Sequence, residues 1–356
     1  MRAIDRRADP AGWARELSVS REAVELYLDS DVIDLHVDSF IWHRVFGYDL
    51  LQRHTAFTAG TCLAQVDFPR LREAEISGAT WVITTNPLRP ASERGPIFEQ
   101  NLRELLGLFE AAADDFAVVR NAGEYAAARR AGKHAAFIGV QGGNAFDHDL
   151  ELIDRLPPGV LLRVTVVHLS NSSFGQTSAP TLRAKRGGLT RHGAEFVRKL
   201  NQHRIFVDLA HASPRTFADI VSVHDHSQPL IVTHTGVSGV HRHWRNLEDD
   251  QIRAVSATGG TIGVMYHSEF LGDPLWGGRV ESIAAHLEHL IDVAGEDHAS
   301  LGSDWDGAIV VPRDMQSCLE LPRLVHVLLQ RGWKEQRIRK VLGSNFLRVL
   351  RDLRGG

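Results

Sequence analysis

The chain has 356 residues, 43% hydrophobic and 24% charged, with a formal net charge of −4. This is an ordinary globular balance in a chain long enough for one large barrel or two domains. It leaves no basic footprint for nucleic acid, and no run comes near the roughly 20 apolar residues of a membrane helix. The charged stretch Met1 to Arg21 lacks the apolar core of a signal peptide. Cys62 and Cys318 lie far apart without metal or redox spacing, which suits a reducing compartment. The expectation is a cytoplasmic protein without a membrane anchor.

After a short N-terminal extension (about residues 1–30), Asp31 to Phe40 (DVIDLHVDSF) begins as an apolar, β-branched run and reads as a buried strand. It places His36 and Asp38 two residues apart, on one face of a strand end. Trp42 to Thr61 reads as a loop. Val66 to Ile76 is helical, and Ala79 to Thr85 (ATWVITT) is the second strand. Gly95 precedes a helix from Pro96 to Ala113, with proline at its first position, and Asn121 to Arg130 is also helical. Ala135 to Gln141 (AAFIGVQ) is the third strand, ended by Gly142-Gly143, and Leu150 to Leu156 is a short helix. Val160 to His168 is the fourth strand. Leu189 to His203 is an amphipathic helix with Thr190 as N-cap. Ile205 to His211 (IFVDLAH) is the fifth strand, and Ser213-Pro214 opens the next helix. Leu230 to His234 is the sixth strand, Leu247 to Ala257 a helix, and Thr261 to His267 the seventh strand. Val280 to Ala294 is a helix stopped by Gly295, and Ala299 to Asp304 is the eighth strand. Leu319 to Gln330, Glu335 to Leu342 and Asn345 to Leu353 close the chain as helices.

Eight short apolar strands alternating with helices predict an α/β fold, a closed parallel (β/α)8 TIM barrel of metal-dependent hydrolase type, in a single domain over 1–356. The rival is an open doubly wound sheet. Polar residues collect at many strand ends: His36 and Asp38, then Gln141, His168, His211, His234, His267 and Asp304. In a barrel those ends form one face, where active sites lie; an open sheet would gather only the few near its switch point. One histidine at a strand end is ordinarily a hydrogen-bonded loop residue. Several imidazoles and two carboxylates on one rim call for a cation, since charged imidazoles repel. Imidazole nitrogen and carboxylate oxygen suit a divalent ion such as zinc.

The motifs DLHVDS, QVDFPRLREAEISGATW, GVQGGNAF, RVTVVHLSNSSFG, GLTRHGAEFVRKLN, VDLAHAS, IVTHTG, RNLEDDQIRAV, LGSDWDG and GSNFLRVL, in this order, resemble the renal or membrane dipeptidase family. These are zinc dipeptidases on a (β/α)8 barrel within the amidohydrolase-like group. The resemblance runs from about Val32 to Leu350. It implies that His36 and Asp38 bind one zinc, and that His211 and His234 bind a second. His168 would sit over the scissile carbonyl as oxyanion stabiliser, and Arg245 would clamp the substrate carboxylate, a bidentate task suited to guanidinium. Asp304 would relay a proton from the attacking metal-bound hydroxide to the leaving amine. The implied substrate is a small dipeptide, with a D-residue tolerated on its C-terminal side. Asp306 reads as a loop or cap residue, and His267 as a loop-entrance histidine. Barrels of this kind often pair as homodimers, though no stretch of the sequence marks an interface.

One position departs from the pattern. The family carries a metal-bridging glutamate where this chain has Gln141, and a neutral amide offers a single useful oxygen. Two dications roughly 3.5–4 Å apart repel strongly, so losing a bridging charge should leave one tight site and one weak or empty one. His36, Asp38, His211 and Asp304 could form a single-ion set. Asn144 stands where the family often has histidine. Gln141 therefore keeps two alternatives open: a divergent amidohydrolase acting on a lactam, lactone or modified peptide conjugate, and a non-catalytic member that only binds such a ligand.

Overall fold

The computed structural model describes residues 4–54, 64–180 and 187–355. Among them the strands are β1 (Ile33–Val37), β2 (Gly78–Thr84), β3 (Phe116–Val118), β4 (His134–Gln141), β5 (Leu161–Thr165), β6 (Phe206–Asp208), β7 (Ile231–Thr235), β8 (Thr261–Val264) and β9 (Ala299–Leu301). All pairings between them are parallel. The order β2-β1-β9-β8-β7-β6-β5-β4 closes on itself through β2 and β4, paired from Gly78 with Ala135 to Thr84 with Gln141. Eight strands thus make the barrel predicted from sequence. The short β3 pairs with the start of β4, outside the ring, and three residues were too few to register as a strand in the sequence.

Most helices stand where their signals place them. Thr190 caps Arg191–Gln202 by accepting from the Gly193 N–H, and Ser213 caps Pro214–Val223 by accepting from that of Thr216. Two expectations change. The segment read as a loop from Trp42 contains the helix Phe40–Phe46, closed by Gly47 at φ 66°; its Phe40 is buried while Phe46 is exposed, so the apolar period is too broken to show. The rest of that segment, from 55, lies outside the described residues. The helix expected from Pro96 begins earlier, as Ala91–Ala111, with Pro96 inside it. Proline forgoes one backbone bond there but keeps a helical φ. The N-terminal extension is two helices, Pro10–Leu17 and Arg21–Leu28, with Trp13 and Tyr27 buried.

The barrel interior is layered. At the end away from the candidate site, Phe346 of the last helix, Asn345–Arg354, meets the rings of Phe137 and Phe206. Above this plug comes a polar layer of Arg163, Thr165, Asp208 and Thr233, all buried. Gly139 makes room for it, since a Cβ there would lie 2.8 Å from Arg163 Nε.

Candidate metal centre

The carboxyl ends of the strands carry the histidines, the two aspartates and the glutamine of the rim, and Arg245 comes from the loop after β7. His36 and His234 lie within β1 and β7, Gln141 ends β4, and Asp38 follows β1. His168, His211 and Asp304 sit just past β5, β6 and β9 rather than on them. The strand runs read from sequence therefore overshoot, because the chain turns to aim these side chains inward. His211 and Asp304 hold left-handed backbone, at φ 65° and 64°, a conformation that costs a non-glycine residue energy and that gathers at functional positions.

The donors converge. His36 Nε2 lies 3.2 Å from Asp38 Oδ2 and 3.5 Å from Asp304 Oδ1. His211 Nε2 and His234 Nε2 face each other at 2.9 Å. One ligand atom from each of His36, His234 and Asp304 falls within 4.8 Å of the other two; His211, rather than His234, was the histidine of the expected single-ion set. The Gln141 amide is satisfied on both ends when its nitrogen donates to Asp38 Oδ2 at 2.9 Å and its oxygen accepts from His168 Nε2 at 3.2 Å. Thr84, paired in register with Gln141, donates to Asp38 Oδ1 at 2.7 Å.

The polar layer beneath sets where the ring protons sit. Asp208 Oδ2 accepts from Thr165, Thr233 and Arg163 at 2.6, 2.7 and 3.0 Å. With the Thr233 hydroxyl proton so committed, its oxygen accepts from His234 Nδ1 at 2.9 Å. That leaves His234 Nε2 as a bare lone pair. His36 is the reverse: Arg163 Nη2 lies 2.7 Å from its Nδ1, and a guanidinium only donates. The neutral His36 ring then carries its proton on Nε2, facing the carboxylates.

Electrostatics follow from burial. Burial, then positive neighbours, pull His36 below the usual histidine value and His211 and His234 well below it; Arg245 acts on His211, and His36 on His234. Burial brings His168 down to about 4, against the pull of Asp38. All four rings are thus neutral near pH 7, as ligands or N–H donors must be. Burial tends to raise Asp38, yet its pairing with His36 and the hydrogen bonds from His36 and Thr84 hold it below the ordinary carboxylate value. Asp304 goes well above that value, through burial and then the charge of Asp38. Arg245 is buried, meets no carboxylate among the described residues, and donates to the His234 carbonyl at 2.6 Å; burial lowers it to about 10.

A cavity of about 290 Å³ opens over these groups, lined by Asp38, Gln141, His168, His211, Arg245 and Asp304 among others. His267 also faces it from a loop entrance, with Nδ1 3.3 Å from the Val310 carbonyl oxygen. Asp306 lies on its wall as a buried cap, accepting from the backbone N–H groups of Gln65 and Val66 and from Ser39. Asn144 is buried in the turn Gly143–Phe146 behind β4. The donor set fits a divalent cation: two imidazole nitrogens face one another beside two carboxylates, and His211 Nδ1 is buried without a partner among the described residues. The residues that sequence reading passed over are Arg163, Asp208, Thr233 and Thr84. Their signal was present: a charged residue inside an apolar strand run, as in LLRVTVV or FVDLA, must be paired when buried.

Comparison with known proteins agrees with this geometry. A dipeptidase described as "dipeptidase AC, Metallo peptidase" superposes with a TM-score of 0.81, at 26% identity over 92% of this chain and 99% of that one. A metallo peptidase from Rhodobacter sphaeroides, liganded with a phosphinate mimic of the dipeptide L-Ala-D-Ala, gives 0.80 at 25% identity over 91% of this chain and 100% of that one. An "Uncharacterized protein in pqqA 5'region" of Klebsiella pneumoniae is 34% identical over 172 residues, 47% of this chain. That match spans 61% of the Klebsiella protein's length. The sequence profile of "Membrane dipeptidase (Peptidase family M19)" matches residues 20–354. Nearly the whole chain carries that pattern, and it belongs to the membrane dipeptidase family, peptidase family M19.

Proposed function

We propose that this chain is a metal-dependent hydrolase that cleaves the amide bond of small dipeptides, including those with a D-residue on the C-terminal side. The observation that carries the reading is the facing of His211 and His234 at 2.9 Å beside Asp38 and Asp304, under a cavity that also holds the carboxylate-free Arg245. His211 and His234 would hold the tight ion, zinc in this reading, and His36 with Asp38 would line the weak or empty position. When bound, the cation supplies Lewis-acid chemistry, polarising a carbonyl and making water a nucleophile near neutral pH.

The protein's own groups do the rest. Arg245 pairs with the substrate's C-terminal carboxylate and fixes its orientation. Neutral His168 donates an N–H to the carbonyl oxygen as negative charge grows there. Asp304 takes a proton from the attacking water and passes it to the departing amine. Gln141 orients Asp38 and His168 through its amide in place of a bridging carboxylate. One tight ion and one weak or empty position follow from that neutral amide and from the protonated Nε2 of His36. A homodimer and a cytoplasmic location belong to the same proposal, resting on the resemblance and the sparse cysteines.

A second reading has its own observation. Gln141 makes the site less negative than a bridging glutamate would, which favours a divergent amidohydrolase of lactams, lactones or peptide conjugates, or a ligand-binding member without turnover. One experiment separates these. The chelator-stripped protein is reloaded with zinc, its metal counted by mass spectrometry, and a dipeptide panel with L- and D-residues at the second position assayed. Turnover at about one zinc per chain supports the peptidase. A fully loaded protein that cuts no member of the panel refutes it.

A further inference from the structure

A second cavity, of about 510 Å³, adjoins the first: Ile41, Thr84, His168 and Leu169 line both. Its walls are partly apolar, with Ile83, Ile97 and Phe98, and partly cationic, with Arg44, Arg89 and Arg94. Arg94 is neutralised by Asp147, 2.5 Å away. Arg44 and Arg89 meet no carboxylate within ion-pair distance among the described residues. Arg44 lies over the Phe40 ring and donates one Nη2 bond to the Thr84 carbonyl, and its Nε is buried without a partner. Burial lowers the Arg44 guanidinium against the more distant pull of Asp38 and Glu104, and the charge of Arg89 adds to the lowering. Among the described residues the one carboxylate on the wall is Glu104, 3.1 Å from His43 Nε2. Two cations kept together at a cost, one of them desolvated, are a receptor for an anion.

The barrel fixes which part of a substrate could reach them. β2, whose following loop carries Arg89, and β7, whose following loop carries Arg245, stand four strands apart in an eight-stranded ring. Arg245 and the arginine cavity therefore face each other across the candidate metal centre. If Arg245 takes the C-terminal carboxylate, the arginine cavity receives the side chain on the other side of the scissile bond. This step rests on the dipeptidase reading above.

We propose that the N-terminal residue of the substrate carries an acidic side chain, an apolar stem ending in a carboxylate as in glutamate or a longer ω-carboxylate, seated between Arg44 and Arg89. The test uses the zinc-loaded full chain with two matched pairs: Glu-D-Ala against Gln-D-Ala as substrates, and phosphinate mimics of the same two dipeptides as inhibitors. The acidic member of each pair should be favoured by about 10- to 100-fold, the range for one or two charge-assisted hydrogen bonds. In R89Q, whose position on a loop spares the core, and in R44Q, that ratio should fall toward one. Equal affinity for the two mimics, or a ratio unmoved by R89Q, overturns the acidic subsite and leaves the dipeptidase reading standing. A zinc-loaded chain that binds neither mimic and cuts neither peptide overturns both.

Discussion

Gln141→Glu places a carboxylate where the amide nitrogen now donates to Asp38 Oδ2 from 2.9 Å. Without a cation, two like charges at that distance repel by about 6 kcal/mol at an effective dielectric of about 20. The new carboxyl can escape by taking a proton, which at pH 7 costs at most about 4 kcal/mol, from an ordinary glutamate value near 4.3. The metal-free variant should therefore lose up to about 4 kcal/mol at pH 7 and only about 1 kcal/mol at pH 5. At about 2 °C per kcal/mol for a large chain, its Tm in chelator should fall by about 8 °C at pH 7 and about 2 °C at pH 5. Zinc should reverse the order: the variant should bind a second equivalent and gain more Tm than the parent protein. Thermal scans at both pH values, with and without zinc, together with metal counting, decide the matter. A variant with unchanged Tm in chelator at pH 7, or with no added zinc, shows that Gln141 does not stand in for a bridging charge.

Arg163→Met should separate stability from metal affinity. Removing one partner of a buried ion pair costs about 3–5 kcal/mol, here by stranding Asp208; freeing His36 Nδ1 should at the same time tighten cobalt or zinc binding, and unchanged affinity would refute the proton placement drawn for His36. His134, buried with Nδ1 on the Ile76 carbonyl, has its value lowered to about 4 by burial. The unfolded chain then binds the extra proton first, so this contribution is full above about pH 6.5 and is lost as pH falls toward 4, by about 3 kcal/mol at most. Urea midpoints at pH 7 and 4.5 should show His134→Gln losing less on acidification than the parent protein, and equal losses would refute the assignment.

The barrel was legible because buried parallel strands are short β-branched runs, and ATWVITT or IVTHT need little context to be read. The rim was legible because His36, Asp38, His211, His234 and Asp304 each close such a run. What sequence could not show was proton placement. Whether His36 is a ligand or a donor depends on Arg163, 127 positions away, and only the closed ring brings the two together. The helix Phe40–Phe46 was missed for a similar reason: its exposed Val45 and Phe46 break the amphipathic period that would announce it.

The guanidinium sealed under the rim is a positive charge that cannot be chelated, diluted or exchanged, because it is part of the polypeptide. Asp208 already balances that charge, whether or not an ion is bound above it. Folding of the barrel should therefore not depend on an ion, and the chelated chain should keep its fold.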